Sequence, residues 1–275
     1  MPAIVTDRGE IEVFLGGGTT ALTICAAHPA EPLGEGAVEL LAAASGARVV
    51  CVSPQRLDLE EMVDDIEAVR RSLGLEKWVF WGMSGGGWLA QIYAHQYPGA
   101  LSGIIVEGAC PCFRERLADP ACVLSPFFPA WKTAPEAVGL LDPESHRELG
   151  SAEDTEWTEV PGVGSVFRRR EGPALLVSPM PVSEGMRRVM PELWKFDSRD
   201  WLPAIRVPAL VLSGTADPVV PIAHARAVHE AIPGSRWVPV EGAGHVPVAE
   251  RRPEVGAAVR SFLEDLRLTQ QRLAE

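Results

Sequence analysis

The stretch from Lys77 to Trp88, KWVFWGMSGGGW, limits the possible folds more than any other part of the chain. Trp78-Val79-Phe80-Trp81 is a short apolar run with aromatic and β-branched content, which predicts a buried strand. Gly82-Met83-Ser84-Gly85-Gly86 follows in a G-x-S-x-G pattern, and Trp88 to Ala94 reads as a helix that buries one face. A serine set between a strand and a helix occupies a sharp, strained turn that presents its hydroxyl above the sheet. Glycine is required on both sides, because a Cβ there would strike the adjoining strand or helix. Ser84 is therefore a candidate nucleophile, Met83 a candidate for the floor of the pocket beside it, and Trp88 a core residue.

The remainder of the chain repeats the alternation of strand and helix. Ile11–Leu15 alternates like a strand, and Ala21–Ala27 and Ala47–Val52 are continuous apolar runs of the kind buried on both faces of a sheet. Gly36–Ala44 has helical composition and stops at Gly46. Asp58 caps a second helix, with Glu61 three residues on in capping-box spacing. Met62, Ile66, Val69 and Leu73 line one face, and Gly74 closes it. Gly103–Val106, Val207–Leu212 and Trp237–Val240 are further strands, with helices over residues 222–231 and 253–268. The pattern predicts an α/β fold with a doubly wound, mostly parallel sheet.

Between about Cys110 and Leu202 the rhythm breaks. Prolines become frequent, tryptophans stand at 131, 157, 194 and 201, and only Ala174–Val177 reads as a short strand. So long an irregular stretch is not a simple loop. It divides the chain into a core of residues 1–109 and 203–275 and a lid or cap of residues 110–202. Phe128 and Trp131 in its aromatic cluster are candidate substrate contacts.

A net charge of −12 argues against nucleic acid or an anionic membrane as partner, since both repel an acidic surface. No apolar run reaches the roughly 18 residues of a membrane span. The first residues carry no basic segment ahead of an apolar core, so the expected location is cytoplasmic. The five cysteines fit a reducing compartment. Cys25 and Cys51 lie within apolar runs as buried thiols, and Cys110-x-Cys112 with Cys122 lacks the paired spacing of a zinc site. No metal or cofactor is expected. The expected partner is a small-molecule substrate, and the apolar lid leaves room for a homodimer contact.

In parallel α/β sheets, ligands gather at the carboxyl ends of the strands. Four such ends carry chemistry here: His28, Ser84, Asp217 and His245. Alone, Asp217 before Pro218 reads as a turn residue, and His245 in a glycine-rich loop as structural. Together, after Ser84 in that order, they read as nucleophile, acid and base. A serine hydroxyl needs a base to take its proton, imidazole has the right basicity, and a carboxylate fixes its tautomer. Glu107, at the end of the Gly103–Val106 strand, is an alternative acid.

These motifs resemble the α/β-hydrolase superfamily over nearly the whole chain. GMSGGG is similar to its nucleophile elbow, GTADPVVP to its acid loop, and GAGHVPVAERRPE to its histidine loop. The resemblance implies an eight-stranded, mostly parallel sheet with a cap inserted after the sixth strand, and a Ser84–Asp217–His245 triad. It also implies an oxyanion hole. One donor is the backbone N–H of Gly85. The other should come from the loop after Ala27, where the family commonly has His-Gly-x-Pro. This chain has His28-Pro29-Ala30-Glu31-Pro32, and Pro29 cannot donate. Counting without a gap makes Ala30 the donor, with Glu31 the choice if the loop is shifted, and His28 shapes the loop or touches substrate. Ser53-Pro54-Gln55-Arg56-Leu57 likewise replaces an Asp- and Gly-rich loop. The expected activity is a cofactor-free serine hydrolase acting on a small, apolar carboxylic ester, lactone or thioester through an acyl-enzyme. The alternatives are a non-hydrolytic lyase, cyclase or oxygenase, a C–C bond hydrolase, or a ligand receptor with a slow triad.

Overall fold

A computed structural model describes residues 3–18, 22–30, 32–122, 125, 155–160, 164–169, 174–175 and 184–274. Eight strands form one sheet: β1 (Ala3–Thr6), β2 (Gly9–Gly17), β3 (Thr23–Ala27), β4 (Arg48–Ser53), β5 (Trp78–Met83), β6 (Leu101–Glu107), β10 (Ala209–Gly214) and β11 (Arg236–Val240). Their spatial order is β1-β2-β4-β3-β5-β6-β10-β11. Only β2 runs against its neighbours, β1 and β4; the other five pairings are parallel. The doubly wound, mostly parallel sheet is thus present with eight strands. β1 was not anticipated: its four residues are half-exposed and carry no buried apolar run.

The helices cover both faces. On one side α1 (Glu35–Ser45) and the final helix α8 (Arg252–Ala274) pack together over Ile24, Val49, Val79, Trp81 and Leu210. On the other, α2 (Leu59–Ser72) and α3 (Gly85–Gln96) cover Cys25, Val50, Phe80, Ile104 and Val211. Asp58 caps α2, its Oδ1 accepting the N–H of Glu60 and of Glu61 at 2.9 and 3.0 Å, which satisfies two donors that the helix cannot. Strands buried on both faces explain why they read as continuous apolar runs and not as alternations.

Residues 110–202 hold more regular structure than their sequence suggested. α4 (Phe113–Ala118) packs on α5 (Glu184–Lys195), and β7 (Thr155–Val160), β8 (Gly164–Arg169) and β9 (Ala174–Leu175) form a separate antiparallel sheet. The two ends of the segment are fastened to α3. Gln91, fully buried, donates to the carbonyl of Cys110, and Ser198 Oγ donates to Gln91 Oε1 at 2.7 Å. Trp88 packs edge-on against Phe113, 5.3 Å between ring centres, and also against Phe196. α6 (Ile222–Ala231) and a short turn of helix, α7 (Pro247–Glu250), complete the fold. Among the described residues no helix is long and apolar enough to cross a membrane. All five cysteines are buried, and no disulfide joins any of them.

Candidate active site

Ser84 stands between the last residue of β5 and the first of α3. Its backbone has φ 49° and ψ −117°, and no other non-glycine described residue has a positive φ. An L-residue holds that conformation only under restraint from its surroundings. The restraint is visible: Ser84 N–H donates to the Glu107 carbonyl at 2.8 Å, and Gly87 N–H donates back to the Ser84 carbonyl at 2.9 Å. Glycine at 86 lets the start of α3 press on β3, since a Cβ there would strike the Ala27 carbonyl oxygen.

His245 and Asp217 arrive from the ends of β11 and β10. His245 Nε2 lies 2.9 Å from Ser84 Oγ, and His245 Nδ1 lies 2.8 Å from Asp217 Oδ2. The other carboxylate oxygen, Oδ1, accepts the N–H of Val219 at 2.8 Å and of Val220 at 2.9 Å. Both oxygens of this buried carboxylate thus face donors, which fixes its orientation. The tautomer follows: with a carboxylate on Nδ1, the proton sits there, and Nε2 is left to accept from Ser84.

Two further carboxylates fix the histidine loop. Glu250 accepts the N–H of Gly244 at 2.8 Å and of Val246 at 3.2 Å, the residues on either side of His245. Glu107 accepts the indole N–H of Trp81 and the N–H of Val248, both at 2.8 Å, so its two oxygens are engaged away from the imidazole that Asp217 holds. Burial pushes the Glu107 carboxyl up to about 7, against the pull of those two donors. The role of Glu250 was missed in the sequence. Its signal was the spacing, five residues beyond His245 and at the end of a helical turn.

The loop after β3 lies over the start of α3. A Cβ on Gly85 would come within 2.8 Å of His28 Nε2, 2.9 Å of Pro29 Cγ and 3.0 Å of Pro29 Cδ. Ala30 N–H donates to His28 Nδ1 at 3.2 Å. Burial, aided by the neighbouring His245, draws the His28 imidazole down to about 4, so it is neutral at physiological pH. Met83 is half-buried beside Ser84 and packs on the α1–α8 side of the sheet. Glu31, Phe128 and Trp131 lie outside the described residues. His146 lies outside the described residues, and three further histidines stand apart from the triad: His95 stacks on Trp201, His229 on Trp237, and His224 meets Asp119 at 2.8 Å. A roomy cleft lined by Asp58, Glu60, Glu61, Asp64, Gln96 and Tyr97 sits at the far end of α3 from Ser84. It offers carboxylates but no nucleophile.

Comparison with known proteins agrees with this fold. A family profile described as the alpha/beta hydrolase fold matches residues 42–141, and one described as TAP-like protein matches residues 189–273. A proline iminopeptidase of Lactobacillus helveticus is 28% identical over 225 residues, which cover 77% of this chain and 74% of that protein. The solved structure of an alpha/beta fold family hydrolase from Bacillus anthracis superposes with a TM-score of 0.69 at 21% identity, over 96% of this chain and 98% of that one. A thermophilic esterase from Thermogutta terrifontis gives 0.62 at 24% identity, over the same shares of the two chains. Likenesses of that kind speak to the fold.

Proposed function

Because the chain belongs to the α/β-hydrolase superfamily, we propose that it is a serine hydrolase that cleaves a small carboxylic ester, lactone or thioester through an acyl-enzyme. The observation that carries the reading is the unbroken chain from Ser84 Oγ to His245 Nε2 and from His245 Nδ1 to Asp217, at 2.9 and 2.8 Å, on a strained strand-to-helix turn. The name of one relative, a proline iminopeptidase, supports hydrolysis as the reaction class.

The steps use groups of this chain. Ser84 Oγ attacks the substrate carbonyl while its proton passes to His245 Nε2. The imidazolium that forms is stabilised by Asp217. The oxygen of the carbonyl takes up the negative charge next to Gly85, whose N–H opens α3 and has no partner within the helix. His245 then gives the proton to the leaving oxygen or sulfur. In the second half it takes a proton from water, which attacks the acyl-enzyme, and it returns that proton to Ser84 Oγ as the acyl–oxygen bond breaks and the acid leaves. An alkoxide or thiolate departs more readily than an amide anion, so an ester or thioester makes a smaller demand on His245 as proton donor than a peptide does.

The test is hydrolysis of a panel of p-nitrophenyl esters, lactones and acyl thioesters by wild type and Ser84→Ala. Turnover by wild type that falls by about 10⁴–10⁶ in the variant supports the reading. Turnover that survives the substitution replaces it with a non-hydrolytic reaction on the same fold. Tight binding of a panel compound with no turnover replaces it with a receptor.

A further inference from the structure

We propose that Glu107 is a positioning residue of this hydrolase: its buried carboxylate ties the strand that carries Ser84 to the loop that carries His245, and it does so only while ionised. The inference rests on the serine-hydrolase reading above and assigns one more residue of that site.

Three observations converge on it. First, Glu107 meets the nucleophile strand and turn twice. Its backbone carbonyl accepts the Ser84 N–H at 2.8 Å, and its Oε2 accepts the indole N–H of Trp81, three residues earlier on β5, at 2.8 Å. Second, its other oxygen reaches the histidine loop. Oε1 accepts the N–H of Val248, three residues beyond His245 and within α7, at 2.8 Å. Third, Glu107, Trp81 and Val248 are all fully buried, so water cannot take over either bond when it breaks. One side chain therefore joins two elements that the sheet does not pair, since β6 and β10 lie between β5 and β11.

Both partners of the carboxylate are N–H donors, and that makes the bridge depend on charge. An ionised carboxylate offers both oxygens as acceptors. A protonated one keeps a single good acceptor, because its O–H is itself a donor and would face a second donor. Burial pushes the Glu107 carboxyl up to about 7, against the pull of the Val248 and Trp81 donors. Of the charged groups near it, His245 in the histidine loop favours the ionised form and Glu250 at the end of α7 opposes it. Its neighbours in register, Met83 on β5 and Leu212 on β10, carry no charge. The bridge is thus closed above neutral pH and loosened below it. Once it loosens, the approach of His245 Nε2 to Ser84 Oγ is left to the holds of Asp217 and Glu250. Glu107 passes no proton to substrate, so the proton balance of the reaction stays with Ser84, His245, the leaving group and water.

Glutamine has the shape of the protonated carboxyl, with one acceptor and one donor, and it supplies the test. With a p-nitrophenyl ester at about pH 8, Glu107→Gln is expected to lower kcat by about 10–100-fold with KM within about threefold, the loss that a displacement of about 1 Å brings. At about pH 5.5 wild type carries the proton as well, so the two proteins should agree within about threefold. Protonation of His245 slows both, which makes their ratio the readout. Trp81→Phe in the Glu107→Gln background removes one of the two donors and frees the amide oxygen for Val248. That double variant should recover at least about fivefold of the loss at about pH 8. A ratio constant across pH, a loss confined to KM, no recovery in the double variant, or a kcat for Glu107→Gln within about threefold of wild type at about pH 8 overturns the proposal. Infrared difference spectra of wild type between the two pH values read the titration without any variant having to be active. They should show the band of a buried protonated carboxyl, and its absence overturns the proposal. A wild type that neither turns over esters nor reacts with a fluorophosphonate removes the serine-hydrolase reading itself. An active wild type with an unaffected Glu107→Gln removes only the role given to Glu107.

Discussion

His245 Nε2 lies 2.9 Å from Ser84 Oγ, although 161 residues separate the two in sequence. Their meeting depends on the sheet. β5 delivers Ser84 and β11 delivers His245, while β6 and β10 between them hold the two ends at a fixed spacing. Asp217 at the end of β10 completes the line at 2.8 Å.

Asp217→Asn should leave the fold in place and remove most of the activity. The Asn oxygen can still accept from Val219 and Val220, as Asp217 Oδ1 does now. Its NH₂ then faces His245 Nδ1, drives the histidine proton to Nε2, and deprives Ser84 of its base. A loss of about 10⁴ in kcat is expected, with thermal stability nearly unchanged. Ester kinetics paired with thermal unfolding check both halves.

The strain at Ser84 predicts a trade of stability against activity. With φ at 49°, glycine suits the position better than any residue with a Cβ. Ser84→Gly should exceed Ser84→Ala in unfolding free energy by about 1–2 kcal/mol, with both variants inactive. Urea unfolding of the pair measures this directly; equal stabilities would mean that the turn carries no such strain.

Glu250 holds the loop on both sides of His245 without touching the imidazole. Glu250→Ala should release Gly244 and Val246 and let His245 drift. A displacement of about 1 Å is enough to cost about 10² in kcat. Glu250→Gln, which keeps one acceptor oxygen, should lose less. Steady-state kinetics on the two variants distinguish a loop clamp from a bystander, for which both would match wild type.

Glu107 and His28 predict opposite effects of pH on stability. Burial raises Glu107 from 4.5 to about 7, so between those values the folded protein keeps a proton that the unfolded chain has released. Its contribution therefore declines as pH rises through that window. His28 falls from 6.5 to about 4, so there the unfolded chain holds the extra proton, and stability rises with pH. Each effect amounts to about 3 kcal/mol at most. Glu107→Gln should gain on wild type as pH climbs from about 5 to about 8, and His28→Asn should lose ground over the lower half of that range. Denaturant unfolding across the range tests the signs, and parallel profiles for all three proteins would contradict the assignments.

The core of the fold was legible because glycine and apolar runs punctuate it so regularly. Each strand buried on both faces announces itself as an unbroken apolar run, and Gly46 and Gly74 mark where helices stop, with φ of 73° and 66°. The order Ser84, Asp217, His245 was legible because Ser84 and Asp217 follow such strands and His245 follows the short apolar run of β11, a largely exposed edge strand. Residues 155–169 were not. Their strands carry charge and, among the described residues, pair only with each other and with the two-residue β9, so no long-range apolar pattern marks them. α5 was hidden by Pro191, which reads as a helix breaker yet lies inside the helix, with Val189 and Leu193 buried around it. The geometry at His28 was beyond sequence reasoning as well. Whether Ala30 N–H faces substrate or its neighbour depends on how one imidazole turns, and no residue spacing encodes that.

The most direct test of the account is intact-mass analysis after treatment with a fluorophosphonate, on wild type and on Ser84→Ala. The account predicts one phosphonyl adduct on wild type and none on the variant, since only a serine activated by His245 and Asp217 reacts at neutral pH. A folded wild type that takes up no adduct, or a Ser84→Ala variant that takes up as much as wild type, would contradict it.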